Sequence, residues 1–345
     1  MYRLDEIEEI KFINHLISGF KKSPLQMNRI HTSDSEIIML DGMDKLVAIT
    51  TDGISEEIEL NIFTDPYLIG WMVVLMNLSD LAAVGAEPIG LLLNQTFEKT
   101  VGSDFINALQ LGISDACKSA DTFILGGDTN FSSHFNFCAT AIGLTNGKQY
   151  LSRIGMHEGD ILYSTSRLGI GNAFAFSRIF VNGRNEIKYL PKPQFDKSKI
   201  ISRFAASCID SSDGLFASLD QLIRLNKSGI TLFGEISLII CEDAKEICRM
   251  YDIPEWLMLA GPVGEYELIF SIPQNRENEF LKSAEKVNWQ PVKLGIAVEK
   301  PELFIQNKSK LSSVNTAKIR NLSALLYSNP TQFLVELINI YEESF

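Results

Sequence analysis

Short acidic side chains next to glycine, serine or threonine recur along this 345-residue chain. Five of these aspartates fall where a predicted strand ends or a predicted helix begins: Asp34, Asp52, Asp80, Asp128 and Asp213. Mg²⁺ prefers hard oxygen ligands, and proteins hold it with one or two carboxylates together with phosphate oxygens. Phosphoryl transfer in turn needs mainly positioning and charge neutralisation. These residue types therefore predict a magnesium and phosphate site, provided that the fold brings the aspartates together.

Most of these aspartates also have a purely structural interpretation. Asp213, like Ser212, is suited to cap the helix that follows it. Asp128 suits a turn after a strand, and Asp52 suits a strand end. Asp80 differs, because it lies three residues after Asn77 on the same face of an almost wholly apolar helix. A buried charge there needs a partner or a metal, which favours a functional role for Asp80.

The composition excludes several classes of protein. The net charge is −12 and the sequence pI is about 4.9, and no basic stripe is present, which argues against nucleic-acid binding. The most apolar stretch, 67–93, is interrupted by polar residues and a proline, and so we expect no membrane span. The N-terminus lacks a signal-peptide pattern, and the five cysteines form no CxxC pair. A cytoplasmic location is therefore expected.

Hydrophobic spacing predicts an α/β protein. The expected helices in the first part span 4–20, 66–84 and 105–119, and the expected strands span 37–40, 46–51, 89–97, 122–125 and 135–144. After Asn146-Gly147 the pattern starts again with a strand at 161–165 and further alternation of both element types. The length and this change predict two domains, 1–148 and 149–345.

The stretch Asn77-Leu78-Ser79-Asp80-Leu81-Ala82-Ala83-Val84-Gly85-Ala86-Glu87-Pro88 resembles a helix of the thiamine-monophosphate kinase family. That family belongs to the superfamily of aminoimidazole ribonucleotide synthetase and selenophosphate synthetase. Further blocks that are similar to the family follow in its order: Thr50-Thr51-Asp52 with Glu56, Gly126-Gly127-Asp128-Thr129, Arg153 to Asp160, Asp210-Ser211-Ser212-Asp213-Gly214-Leu215 and Glu265-Tyr266-Glu267-Leu268. The resemblance spans about 5–272.

The resemblance implies a two-domain PurM-like fold. Its first domain would pair with a second copy to form a β-barrel-like dimer core, and its second domain would be a larger α/β domain with a mixed sheet flanked by helices. ATP and several Mg²⁺ ions would lie in the cleft, with a small phosphorylated metabolite as acceptor. The implied metal ligands are Asp34, Asp52, Asp80, Asp128 and Asp213. Gly126, Gly127, Thr129 and Thr51 would contact the nucleotide, and Asp128, Asp213 and Arg153 would be catalytic.

Several departures from the family pattern are present, one in the first acidic block and others on the acceptor side. Ser35 replaces a second aspartate, Glu59 stands where the family usually has histidine, and Pro262-Val263 replaces Gly-Gly. The leading hypothesis is transfer of the ATP γ-phosphoryl group to thiamine monophosphate. One alternative is a divergent superfamily enzyme that activates a different small substrate, as aminoimidazole ribonucleotide synthetase does. A second alternative is a nucleotide-binding protein without catalysis.

Overall fold

The computed structural model describes residues 3–181, 187–307 and 310–344. Five strands form the first sheet, in the order β1-β2-β5-β3-β4. They are β1 (Glu36–Ile38), β2 (Val47–Gly53), β3 (Ala86–Glu98), β4 (Ile124–Ser132) and β5 (Asn136–Thr145). Strands β3 and β4 run parallel, and the other neighbouring pairs are antiparallel. The helices of this half are α1 (Glu8–Ile17), α2 (Ser55–Glu59), α3 (Pro66–Ala83) and α4 (Ser103–Ser119).

Helix α3 is the core element of the first half. Asp65 caps it by accepting a hydrogen bond from the backbone N–H of Tyr67, and Pro66 occupies the first turn, where no backbone donor is needed. By length and composition α3 would be able to cross a membrane, but 83% of that span is buried inside this fold. It is therefore a core helix, and its burial holds Asn77, Ser79 and Asp80 in fixed positions.

Strand β4 corrects one expectation from the sequence. The sequence predicts a strand at 122–125 with a turn at Asp128 after it, but the whole stretch from Gly126 to Thr129 lies inside β4. Glycine makes this pairing possible, because a Cβ on Gly127 would come within 2.1 Å of the carbonyl oxygen of Leu93 on β3. The strand continues because close packing of two backbones overrides the turn tendency of a glycine pair.

The second sheet has seven strands, in the order β12-β11-β8-β10-β6-β9-β7. Strands β11 and β8 run parallel, and the other neighbouring pairs are antiparallel. The strands are β6 (Ile161–Ser164), β7 (Ser207–Asp210), β8 (Gly229–Phe233), β9 (Leu268–Ile272), β10 (Val292–Val298), β11 (Leu303–Asn307) and β12 (Lys310–Val314). The helices are α5 (Ile170–Val181), α6 (Phe195–Ile201), α7 (Leu215–Asn226), α8 (Ile236–Ile239), α9 (Glu242–Tyr251), α10 (Leu257–Ala260), α11 (Glu277–Glu285), α12 (Thr316–Ser328) and α13 (Pro330–Ser344).

Two mixed sheets flanked by helices confirm the predicted α/β fold class. The predicted division at residue 148 falls between β5, which ends at Thr145, and β6, which begins at Ile161. The division into two domains itself stays a prediction. In the described part of the chain both sheets are open, and so a barrel-like core would require a second copy.

Candidate active site

A cavity of about 780 Å³ lies between the elements of the two halves. Strand β2, the loop after β7 and helices α1, α2, α3 and α12 contribute to its walls. Six of the residues predicted from the sequence line it: Asp34, Thr51, Asp52, Asp80, Arg153 and Asp213. Residues that are far apart in the sequence therefore share one cleft.

Three carboxylates form a tight cluster at this cavity. Asp34 precedes β1, Asp80 lies on α3, and Asp210 is the last residue of β7. One carboxylate oxygen from each lies within 4.8 Å of the other two. Three like charges at this distance repel one another strongly unless protons or a cation neutralise them.

Hydroxyl groups orient two members of this three-carboxylate cluster. Thr50 Oγ1 donates to Asp80 Oδ2 at 2.5 Å. Ser79 Oγ donates to Asp210 Oδ2 at 2.7 Å, and Ser212 Oγ donates to Asp210 Oδ1 at 2.8 Å. Both carboxylates are thus held in defined positions by partners from both halves of the chain.

Asn77 fixes the position of the end of strand β2. It is fully buried, and its side-chain oxygen accepts the backbone N–H of Asp52 at 3.0 Å. Its amide nitrogen donates to the carbonyl oxygen of Val73 at 3.0 Å. One face of α3 therefore fixes the end of β2 with Asn77 and presents Asp80 one turn later.

Arg153 forms the principal ion pair of the site. Its Nη2 donates to Asp34 Oδ1 at 2.8 Å, and the side chains are 20% and 1% exposed, respectively. Burial alone would lower the pKa of Arg153, but Asp34 raises it, and so the guanidinium stays charged. The structure gives Arg153 a positioning role toward Asp34.

Burial and mutual repulsion raise the pKa values of Asp52, Asp80 and Asp210. Desolvation in the cavity wall, and then Asp210 and Asp213, raise the pKa of Asp52 to about 7. Burial and the charge of Asp34 raise the pKa of Asp210 to about 6. The pKa of Asp80 is raised by burial, then by Asp210, Asp52 and Asp34, against the hydrogen bond from Thr50. Each raised pKa means that the carboxylate resists ionisation. A cation bound at the cluster would lower these pKa values again.

The donor set suits a hard divalent cation. Carboxylate oxygens are the ligands that Mg²⁺ prefers, and no histidine or cysteine belongs to the cluster. Asp34 Oδ2 is buried and has no hydrogen-bond partner among the described residues. An unpartnered buried carboxylate oxygen is costly in a protein interior, and a metal ion is the partner that fits it. Asp34, Asp80 and Asp210 therefore form a candidate Mg²⁺ site.

Asp128 does not join the three-carboxylate cluster within one chain. It lies on β4, and its Oδ2 accepts from Asn130 Nδ2 at 2.8 Å. Gly127 and Asp128 line a separate, shallower cavity together with Thr51, and Thr51 thus borders both cavities. Gly126 and Thr129 belong to the same exposed strand. Within one chain Asp128 therefore lies apart from the three-carboxylate cluster, and its role as a metal ligand stays a prediction.

The interpretation of Asp213 or Ser212 as the cap of helix α7 is wrong. Gly214 is the N-cap of α7 and receives no side-chain cap, and the Ser212 hydroxyl points to Asp210. Gly214 has φ +81°, and a Cβ there would come within 2.3 Å of the carbonyl oxygen of Gly261, which is why glycine is needed. Asp213 is left free to line the cavity.

Two functional candidates were missed from the sequence. Asp210 belongs to the block Asp210 to Leu215, in which the resemblance implied only Asp213 as a metal ligand. Strand β7 ends at Asp210 and brings its carboxylate to the cluster. Tyr266 is buried, lines the cavity and has φ 60°, an uncommon backbone conformation for a large side chain. No sequence pattern signals that conformation, although the surrounding Glu265-Tyr266-Glu267 block did mark the region.

Known proteins resemble this chain in sequence. Residues 33–145 match the family described as "AIR synthase related protein, N-terminal domain". A thiamine-monophosphate kinase of Buchnera aphidicola subsp. Schizaphis graminum is 27% identical over 318 residues, which cover 89% of this chain and 96% of the relative. The match covers most of the first half of the chain, which is therefore similar to this family. A thiamine-monophosphate kinase of Methanocaldococcus jannaschii is 26% identical over 302 residues, 81% of this chain and 92% of that protein.

Several solved structures share the fold. "AaThiL complexed with AMPPCP and TMP" superimposes with a TM-score of 0.72 at 20% identity, covering 88% of this chain and 94% of that one. A HypE–HypF complex gives a TM-score of 0.74 at 17% identity, covering 88% of this chain and 98% of that one. At these identities the likeness concerns the fold, which both a kinase and a hydrogenase maturation protein adopt.

Proposed function

We propose that this chain is an ATP-dependent phosphotransferase that transfers the γ-phosphoryl group of ATP to thiamine monophosphate. The products would be ADP and thiamine diphosphate, because an oxygen of the acceptor phosphate attacks the γ-phosphorus and the bond to the ADP oxygen breaks. The observation that carries the proposal is the cluster of Asp34, Asp80 and Asp210 beside the cavity. Asp34 and Asp80 line that cavity together with Asp52 and Asp213.

Relatives over nearly the whole chain support the kinase class, since proteins named thiamine-monophosphate kinase match 81–89% of it. The neighbour with AMPPCP, an ATP analogue, and TMP supports ATP and thiamine monophosphate as the substrates. Bound Mg²⁺ would neutralise the charge of the transferred phosphoryl group. Asp34, Asp80 and Asp210 would hold the metal, with Asp52 and Asp213 as further candidate ligands.

The residues of this chain then have distinct tasks. Arg153 keeps Asp34 in place, and Ser79 and Ser212 orient Asp210. Asn77 fixes the end of β2, on which Thr51 and Asp52 lie. In a reaction controlled by positioning, these contacts set the geometry in which the two phosphates meet.

We infer that a second copy covers the exposed part of the first sheet. Strand β4 is an edge strand in the single chain, and large apolar side chains on β3, on β4 and beside them are 40–65% exposed: Ile89, Leu92, Phe123, Ile124, Leu125 and Phe131. An uncovered edge and a patch of this kind indicate an interface. Gly126, Gly127, Asp128 and Thr129 lie on β4, and so their proposed roles depend on this homodimer.

The test is an assay of the purified full chain with ATP, MgCl₂ and thiamine monophosphate. We expect ADP and thiamine diphosphate in equal amounts, no product with EDTA, and no product when thiamine replaces its monophosphate. ADP released only with another phosphorylated metabolite would refute the acceptor and favour the divergent superfamily enzyme. Metal-dependent ATP binding without turnover of any acceptor would favour the non-catalytic alternative. A cytoplasmic location remains a prediction.

A further inference from the structure

Arg320 on α12 is a cation in the wall of the cavity, beyond the range over which the sequence resembles the kinase family. Eight carboxylates and two arginines, Arg153 and Arg320, belong to the described residues of this wall. A phosphorylated acceptor brings further negative charge into a strongly acidic cavity. Recognition of its phosphate requires a cationic donor, and arginine suits it best through its fork of N–H groups.

Arg153 is already committed to a carboxylate. Its Nη2 binds the almost fully buried Asp34 at 2.8 Å, and the pair neutralises itself. A phosphate that bound Arg153 would have to compete with Asp34 for the same guanidinium. Arg320 is therefore the better candidate.

Arg320 shares its buried carboxylate with another arginine. Asp220 Oδ2 accepts from Arg224 Nε at 2.8 Å and from Arg320 Nη1 at 3.1 Å, while Asp220 Oδ1 accepts from Thr316. Gln221 also accepts from Arg320 Nη1, at 2.9 Å. Arg224 also pairs with Glu6, at 2.8 Å. Asp220 and Gln221 fix the position of the Arg320 guanidinium through Nη1 alone.

The remaining contact of Arg320 is weak. Its Nη2 lies 3.4 Å from Glu9, whose side chain is 65% exposed, and an ion pair so exposed to water contributes little. Arg320 Nε donates to no described residue, and so the guanidinium keeps donors for a ligand. The side chain is only 9% exposed, which fixes its position.

The charge of Arg320 acts on Asp213, one of the predicted metal ligands. Desolvation and the neighbouring Glu9 raise the pKa of Asp213, and Arg320 and Arg153 oppose that rise. Asp213 and Arg320 both line the cavity, and so a phosphate bound at Arg320 would lie near the predicted metal ligands.

We propose that Arg320 binds the phosphate group of the acceptor, and that Asp220 and Gln221 hold the guanidinium in place for this purpose. The inference rests on the proposed kinase function and adds a specificity-determining residue to it. Helix α12 thereby becomes part of the acceptor site.

Calorimetric titration of inorganic phosphate, in buffer without divalent metal, tests the contact independently of the acceptor. We expect Arg320→Gln to weaken phosphate binding about tenfold relative to the wild-type chain. Lys318→Gln is the matched control, because Lys318 carries the same charge on the same helix, pairs with Glu343 and does not line the cavity. It should bind phosphate like the wild type. Arg320→Lys keeps the charge and should bind phosphate with an affinity between those of the wild type and Arg320→Gln. It serves as the test variant if Arg320→Gln does not fold.

Steady-state kinetics form the second arm. Arg320→Gln should raise the KM for thiamine monophosphate about tenfold and leave the KM for ATP within about twofold, a split that a merely structural role would not produce. Phosphate affinity that is undetectable in the wild type, or equal in the wild type and both Arg320 variants, overturns the inference. Phosphate binding that depends on Arg320 in a chain that does not phosphorylate thiamine monophosphate refutes the acceptor alone.

Discussion

The hydroxyl of Ser79 donates a hydrogen bond of 2.7 Å to Asp210 Oδ2, and this contact joins α3 of the first half to the end of β7 in the second. Both residues are buried. The contact brings a carboxylate from the second half beside Asp80, which follows Ser79 in the same helix. The metal site proposed here therefore depends on how the two halves pack against each other.

Substitution at this contact should affect the metal requirement in a graded way. Asp210→Asn removes a proposed ligand, and Ser79→Ala removes only the group that orients it. We expect Ser79→Ala to raise the Mg²⁺ concentration for half-maximal activity about tenfold, and Asp210→Asn to raise it more. Activity measured against MgCl₂ at saturating ATP checks this. An unchanged Mg²⁺ dependence in Asp210→Asn would exclude that carboxylate as a ligand.

The same carboxylates make stability depend on pH. Because the pKa values of Asp52 and Asp210 are raised to about 7 and about 6, the folded chain holds protons that the unfolded chain has already lost above pH about 4. The free energy of unfolding in EDTA should therefore fall as the pH rises from about 4 to 7. Mg²⁺ should reduce this fall, since it stabilises the ionised carboxylates.

Urea denaturation at several pH values, with EDTA or with MgCl₂, measures that dependence. Asp210→Asn should be more stable than the wild type at pH 8 in EDTA, because it removes one of the crowded charges. A wild-type chain whose stability in EDTA rises between pH 5 and 7 would contradict the assigned direction of these shifts.

Loss of the Arg153–Asp34 pair should destabilise the fold. Arg153→Ala leaves Asp34 buried without its cation, and we expect the free energy of unfolding to fall by about 3 kcal/mol. Lys11→Ala is a suitable comparison, since Lys11 forms an exposed pair with Glu8 and its loss should leave the stability nearly unchanged. Equal stabilities of the two variants would show that the Asp34 pair contributes nothing.

The proposed homodimer is testable at β4. Phe131 is 61% exposed in the single chain, and Phe131→Asp would place a charge in the proposed interface. We expect the wild type to sediment as a dimer and this variant as a monomer. Val287→Asp, at a site that is 59% exposed on the second half, should leave the dimer intact. A monomeric wild type would refute the interface.

Much of the fold was predictable because long elements with strong periodicity dominate it. Helix α3 was expected over 66–84 and spans Pro66–Ala83, since a proline start and a nearly continuous apolar run leave few alternatives. Asp34, Asp52, Asp80 and Asp213 were also expected to share a cleft, and all four line one cavity.

The remainder depends on tertiary contacts that local sequence does not encode. The strand character of Gly126 and Gly127 arises from pairing with β3, and the position of Asp210 arises from how far β7 pairs with β9. The cavity wall formed by α12 has no sequence motif, because it follows from the docking of Arg320 on Asp220.

Counting bound Mn²⁺ by electron paramagnetic resonance, with AMPPCP present, tests the shared carboxylate site most directly. Mn²⁺ replaces Mg²⁺ in oxygen-ligand sites and is visible by this method. The account predicts that Asp80→Asn, which changes one of the three clustered carboxylates, binds at least one ion fewer than the wild type. Asp128→Asn, made in the monomeric Phe131→Asp variant, should bind as many ions as Phe131→Asp alone. Equal numbers of ions with equal affinity in the wild type and Asp80→Asn would contradict it.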